Sequence, residues 1–193
     1  MKEIFYEESA EIQNRRSAST KYNVLKTVSI LSYVLLCVWI MLVFVGYEFS
    51  GNILVHIIIV LIPAIMFFLS GFFLGKLKNK FYVDYDYTFV TGSIRIAKVI
   101  KNIKRRFVIK FDASDIEKLG KYGSDTYHKY EKMPGIAKFI LTSNVSASDG
   151  KEFYYLVVNV DGVKKLLILE CTETLMVNIL KFANKTIIEE DFK

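Results

Sequence analysis

The chain has 193 residues, 52% of them apolar, a positive mean hydropathy and a net charge of +6. Its two cysteines, Cys37 in an apolar run and Cys171 in a polar tail, sit in unlike surroundings, which excludes a disulfide framework. No HExxH, paired-cysteine zinc spacing, Walker loop, dinucleotide fingerprint or nucleophile elbow is present, so no enzymatic activity, metal or cofactor is expected.

In chain order, residues 1–26 form a charged N-terminal segment. The alternating charges of Glu7, Glu8, Glu11, Arg15 and Arg16 permit a surface helix there without requiring one. From Thr27 to Tyr47 the chain runs 21 residues without a charge. As a helix rising about 1.5 Å per residue this stretch spans the roughly 30 Å of a bilayer core. A signal peptide is the competing reading, but the apolar region is too long and no small-residue cleavage site follows, so a retained anchor is expected.

After a short turn at 48–52, a second uncharged stretch from Ile53 to Gly75 is long enough to cross again, giving a helical hairpin. Five basic residues precede the first span, none lies in the turn, and 21 follow the second. The positive-inside rule then places both termini in the cytoplasm and the protein in the cell membrane. Gly71 and Gly75 form a G-x-x-x-G that could bring helices of two copies together.

Residues 81–193 read as a soluble domain with its own core. Tyr85, Tyr87 and Phe89 alternate with polar residues, and Thr91-Gly92 marks a turn. The next stretch, SIRIAKVIKNIKRRFVIKF, carries seven cations and no acid between Asp86 and Asp112. Ile96, Val99, Ile100, Ile103 and Phe107 fit a membrane-lying helix, but the β-branched content and local alternation favour two strands, Ser93–Ile100 and Arg105–Asp112, joined at 101–104. Residues 112–135 read mainly as a loop. Strands are expected at Ala137–Asn144, Glu152–Val160 and Val163–Glu170, the last two joined by Asp161-Gly162. Leu175, Met176, Ile179, Leu180 and Ala183 then repeat at helical spacing, with Thr172 placed as N-cap. The expected fold is thus a membrane α-helical hairpin plus an α+β domain: an antiparallel sheet or barrel of about six strands capped by one C-terminal helix.

The stretches YDYTFVTGSIRIAKVI, RRFVIKFD and LLILECTETLMVNILKF resemble the pleckstrin-homology-like domains of bacterial membrane proteins. With its IFYE start and hairpin, the whole chain is similar to the family called domain of unknown function 6106. That resemblance implies a fold and a membrane location; no activity comes with it.

The candidate functional surface is basic: Lys76, Lys78, Lys80, Arg95, Lys98, Lys101, Lys104, Arg105, Arg106 and Lys110. Near an anionic leaflet each such residue contributes about 1 kcal/mol, so lipid headgroups are one expected partner. The bland alternative is a solvated outer sheet face. A protein partner is another reading, by strand addition or through the Tyr122, Tyr127 and Tyr130 loop, and a small subunit of a membrane complex a third. Nucleic acid is the weakest, because no aromatic-basic recognition motif appears. Asp125, His128 and Glu131 can be drawn as a metal cluster, but their spacing alone does not support one.

Overall fold

A computed structural model describes residues 3–46 and 51–183 of the protein. The expected turn at 48–52 lies, as far as Ser50, outside them, as does the end of the soluble segment from residue 184. The chain divides into two compact units. One is residues 14–82; the other combines everything before Asn14 with everything from Val83 onward.

The first unit is a pair of helices, α1 (Arg15–Gly46) and α2 (Ile53–Leu77), followed by a 3-10 turn at Lys78–Lys80. Both are long and apolar enough to cross a membrane. Helix α1 starts well before the uncharged stretch because Asn14 caps it, its side-chain oxygen accepting from the Ser17 amide at 3.0 Å. Asn52 does the same for α2 through Leu54 at 2.9 Å.

Where the helices touch, small residues let them close. The Ser29 hydroxyl donates to the Gly71 carbonyl at 2.7 Å, and a Cβ on Gly71 would meet the Tyr33 ring at 2.9 Å. A Cβ on Gly75 would lie 3.2 Å from Ser29 Oγ. Nearer the turn, Trp39 donates its indole N–H to the Val60 carbonyl at 3.2 Å. In hydrocarbon such bonds and close packing hold helices together, because the lipid offers no hydrophobic drive. Gly71 and Gly75 of the G-x-x-x-G thus both lie against α1 of the same chain.

The second unit is a two-sheet sandwich. Four strands form the first sheet in the order β1-β2-β3-β4, all antiparallel: β1 (Phe5–Ala10), β2 (Val83–Val90), β3 (Ser93–Ile100) and β4 (Lys104–Asp112). Strand β1 pairs with β2 from Phe5 opposite Val90 to Ala10 opposite Tyr85, so neighbours in the sheet are separated in sequence by the entire helical unit. Between β3 and β4 the register shifts at Ile96/Ala97, and Val108 is the extra residue of a bulge.

The second sheet has the order β5-β7-β8-β6, from β5 (Ile116–Lys121), β6 (Ala137–Ile140), β7 (Glu152–Val160) and β8 (Val163–Cys171). Strand β6 runs parallel to β8, which makes this sheet mixed. Tyr87, Phe89, Ile94 and Ile96 of the first sheet meet Leu156, Val158, Leu167 and Leu169 of the second in one core. Helix α4 (Glu173–Leu180) closes it with Leu175, Met176 and Ile179, and Phe182 packs edge-on to Phe89 at 5.5 Å. Gly92 permits that approach: its φ of +90° suits the β2–β3 turn, and a Cβ there would stand 3.2 Å from the Phe182 ring.

Helix α3 (Asp125–Glu131), capped by Ser124, covers the outer face of the second sheet, where Tyr127 packs on Tyr155, Val157, Leu166 and Ile168. With both faces covered, β7 and β8 need apolar residues at successive positions, which explains the unbroken runs YYLVV and LLIL.

The expectation of a single six-strand sheet or barrel is corrected here to eight strands in two sheets among the described residues. Strand β1 lies in the segment left as a charged arm; β5 and α3 lie in the stretch read as a loop. Strand β6 ends at Ile140, earlier than the expected Asn144, and the polar residues that follow serve a different purpose.

A cysteine pair tests the hairpin packing. In a Cys37→Ser background, Ser29→Cys with Gly75→Cys should form a crosslink within one chain. Non-reducing electrophoresis reads this as an oxidant-dependent shift of the monomer band, and crosslinking chiefly into dimers would contradict the intramolecular assignment.

Candidate functional site

Two short segments carry the chain out of the sandwich toward α1 and back from α2: Glu11–Gln13 and Val83–Asp84. One polar loop, residues 141–148, holds both. Asn144 accepts from the Gln13 amide through Oδ1 at 2.9 Å and donates through Nδ2 to the Glu11 carbonyl at 2.8 Å. Gln13 Nε2 donates to the Ser146 carbonyl at 2.9 Å. The Ser143 hydroxyl donates to the Val83 carbonyl at 2.6 Å, and Asp84 accepts from the Ile12 amide at 2.7 Å. The result is a collar around the exit and return of the chain.

The collar is organised by Glu170, which has no exposed surface. Its carboxylate accepts from the Thr142 hydroxyl at 2.5 Å, Asn144 Nδ2 at 2.8 Å, the Ser148 amide at 2.9 Å and the Ser148 hydroxyl at 2.6 Å. Burial pushes this carboxyl up, but the donors from Ser148, Thr142 and Asn144 outweigh it and hold the group below its ordinary value. Tyr87 completes the join to the core, its hydroxyl donating to the Leu141 carbonyl at 2.6 Å. Sequence reasoning missed this centre. The available signal was an acid ending the apolar run LLILE, together with a loop, TSNVSAS, rich in small hydroxyl and amide side chains.

The ten basic residues are divided between the two units. Lys76 lies in the last turn of α2, and Lys78 and Lys80 lie in the 3-10 turn after it, all in the helical unit. The other seven are in the β3–β4 hairpin, where strand alternation divides them. Arg95, Arg105 and Lys110 share the outer face of the first sheet with Phe107; Lys98, Lys104 and Arg106 point to the opposite side, and Lys101 sits in the turn.

The outer face is mixed rather than basic. Arg105 pairs with the buried Asp86 at 3.0 Å, and Asp86 also accepts from Ser9 at 2.7 Å. Arg95 stacks over the Phe107 ring at 5.7 Å, and a groove of about 260 Å³ here is lined by both acids and bases: Glu7, Asp86, Arg95 and Arg105. On the opposite side, Lys98 lies directly across from Arg106, and its other register neighbour is Tyr85. Like charges directly opposite destabilise a sheet. Among the described residues neither Lys98, Lys104 nor Arg106 has a carboxylate within ion-pair distance.

The turn itself is unusual. Lys101 and Asn102 both have positive φ, 50° and 55°, and the Ile103 amide donates to the Ile100 carbonyl at 3.1 Å. This is the geometry of a type I′ turn, which lets the strands keep their twist. It leaves Ile103 at the tip, 82% exposed.

The loop of Tyr122, Tyr127 and Tyr130 is mostly packed. Tyr127 is buried, Tyr130 packs against the same cluster, and Tyr122 is half exposed beside Tyr127 at 4.6 Å. Burial raises the Tyr127 hydroxyl to about 12, and Lys138 draws the Glu131 carboxyl down to about 2. Glu131 is engaged by Lys138, Tyr127 and His128, and the described residues hold no cluster of three potential metal ligands. Beside α3 a mostly apolar groove of about 210 Å³ remains open, lined by Tyr122, Ile140, Val145, Phe153 and Ile168 together with Thr142 and Asn144 of the collar loop.

A family model described as a bacterial PH-like domain, DUF6106, matches residues 6–189, which takes in β1, the helical unit, both sheets and α4. The chain belongs to this family. No curated protein and no solved structure matches it. In this chain the helical unit lies between β1 and β2, and the collar bonds the segments that lead into it and out of it.

Replacing Glu170 by Gln keeps the shape but turns an acceptor-only carboxylate into a group that opposes donors with a donor. The PH-like domain should lose about 2–4 kcal/mol, read by denaturant unfolding of the full chain in detergent. The pH dependence has a fixed sign. Because the folded value is depressed, the contribution of Glu170 is complete above the unfolded carboxylate value of about 4.3 and is lost as pH falls through the folded value. The wild-type advantage over Glu170→Gln should therefore shrink on acidification; an advantage unchanged from pH 6 to pH 3 would contradict this role.

Proposed function

We propose that this protein is a non-enzymatic membrane-anchored module whose PH-like domain works at the anionic inner leaflet, with both termini cytoplasmic. The observation that carries this reading is the insertion of two membrane-length helices inside the PH-like domain, between β1 and β2. Such a domain is tied to the bilayer by two covalent connections rather than one. Lys76, Lys78 and Lys80 then follow the second span at headgroup level, and the cations of the β3–β4 hairpin add to them.

The buried groups support a structural rather than a catalytic role. Glu170 uses its lone pairs on the collar, and burial pushes the Cys171 thiol well up, which keeps it in the unreactive protonated form. A second reading, a docking module or an accessory subunit of a membrane complex, is favoured by one feature: the open apolar groove beside α3, above which Val145 is fully exposed.

The full chain in nanodiscs separates the two. Amide exchange within residues 83–183 should be slower in discs containing phosphatidylglycerol than in phosphatidylcholine discs, and the difference should vanish toward 1 M salt, where the screening length is about 3 Å. Equal exchange in both lipids would remove the headgroup reading and leave the groove as the surface to pursue.

A further inference from the structure

We infer that the β3–β4 hairpin is a membrane-inserting element: Ile103 enters an anionic bilayer surface, and Lys98, Lys104 and Arg106 bind the lipid phosphates around it. The inference rests on the proposed headgroup contact and narrows it to one element and one of its two faces.

Three observations support it. First, an isoleucine stands at the end of a turn at 82% exposure, while two residues with positive φ, neither of them glycine, form that turn. A tip shaped only for solubility would favour Asn-Gly and a polar residue. Second, Lys98 and Arg106 oppose each other across the strands without a carboxylate partner among the described residues. The domain bears that repulsion, which an external anion would relieve. Third, the outer face carries acids of its own, Glu7 and Asp86, and two of its three cations are engaged there, Arg105 by Asp86 and Arg95 by the Phe107 ring. The face available to an anion is the one that carries Lys98, Lys104 and Arg106.

An apolar tip with cations behind it suits a bilayer surface better than a free phosphate, which has no use for the isoleucine. The same pairing of an apolar side chain with basic residues drives interfacial binding of amphipathic segments. Tyr85, half-buried and directly across from Lys98 on β2, adds an aromatic ring beside the cation.

The test uses the full chain with Cys37→Ser and Ile103→Cys, labelled at residue 103 with an environment-sensitive fluorophore, in nanodiscs that carry spin-labelled lipid as quencher. Cys171 is buried, and a label at Val163→Cys, at the start of β8, serves as control. Residue 103 should be quenched in phosphatidylglycerol discs and much less in phosphatidylcholine discs, with the quenching lost toward 1 M salt. Adding Lys98→Glu and Arg106→Glu should lower the inserted population about tenfold, whereas Arg95→Glu should change it far less. No quenching at residue 103 beyond the control, while amide exchange still slows in anionic discs, would overturn the hairpin assignment and leave the headgroup reading standing. If neither signal depends on the lipid, both fall. Displacement by inorganic phosphate at constant ionic strength would replace the bilayer surface with a site for a free anion.

Discussion

A single buried carboxylate, Glu170, sets the terms for how a PH-like domain can contain a pair of long apolar helices. Removing an ion from water costs several kcal/mol, and here the cost is offset by donors that all come from one loop. The loop is thereby fixed, and its remaining groups, Ser143 and Asn144, grip the chain on either side of the inserted helices. An insertion that long between adjacent strands would ordinarily leave β1 held only by its ladder to β2. The collar adds contacts from a distant part of the sequence, and Glu8 adds another by accepting from the Thr172 amide at 2.9 Å, which ties β1 to the start of α4. Thr172 occupies the N-cap position but makes no side-chain cap bond to the helix; its hydroxyl donates to Glu8 instead.

How much of this was legible in the sequence follows from the range of the forces involved. The two long apolar helices, the β2–β3 and β7–β8 hairpins and α4 are encoded locally, by runs, two-residue alternation, turn glycines and helical spacing, and each is readable. Strand β1 is not, because Phe5-Tyr6-Glu7-Glu8-Ser9-Ala10 becomes a strand only through a partner beyond both long helices. Strand β5 was hidden by its register shift between Ile116 and Lys118, which breaks the alternation a reader looks for. The collar was illegible for a related reason: hydrogen bonds between Gln13 and Asn144 leave no periodic trace.

The basic stretch shows the same limit in charge. Read as a line, Arg95 to Lys110 is a uniform cationic segment. Folded, the period of two sends its members to opposite sides, and the bulge at Val108 resets the phase so that Phe107 and Lys110 share a side. Asp86, which lies outside the run in sequence, then neutralises Arg105 because the sheet brings β2 within reach of β4 across the intervening β3. Charge counted along a strand overstates the charge any one partner can meet, and the face that keeps its charge is the one with no acid in register.

The strength required of that face depends on the anchor. A free domain must find a membrane from solution and hold it with enough affinity to offset the lost translational freedom. A domain joined to two spans meets the headgroups as an intramolecular event, at an effective concentration of the order of millimolar for short connections. Under the proposed lipid contact, three cations and one isoleucine, a weak membrane ligand on their own, would then suffice to bias the orientation of a domain anchored in this way. Such a contact responds readily to lipid charge, because a modest change in surface potential is a large fraction of a small binding energy. On the proposed reading, anchoring by the helices and lipid contact by the hairpin are separate tasks carried by separate units of the chain.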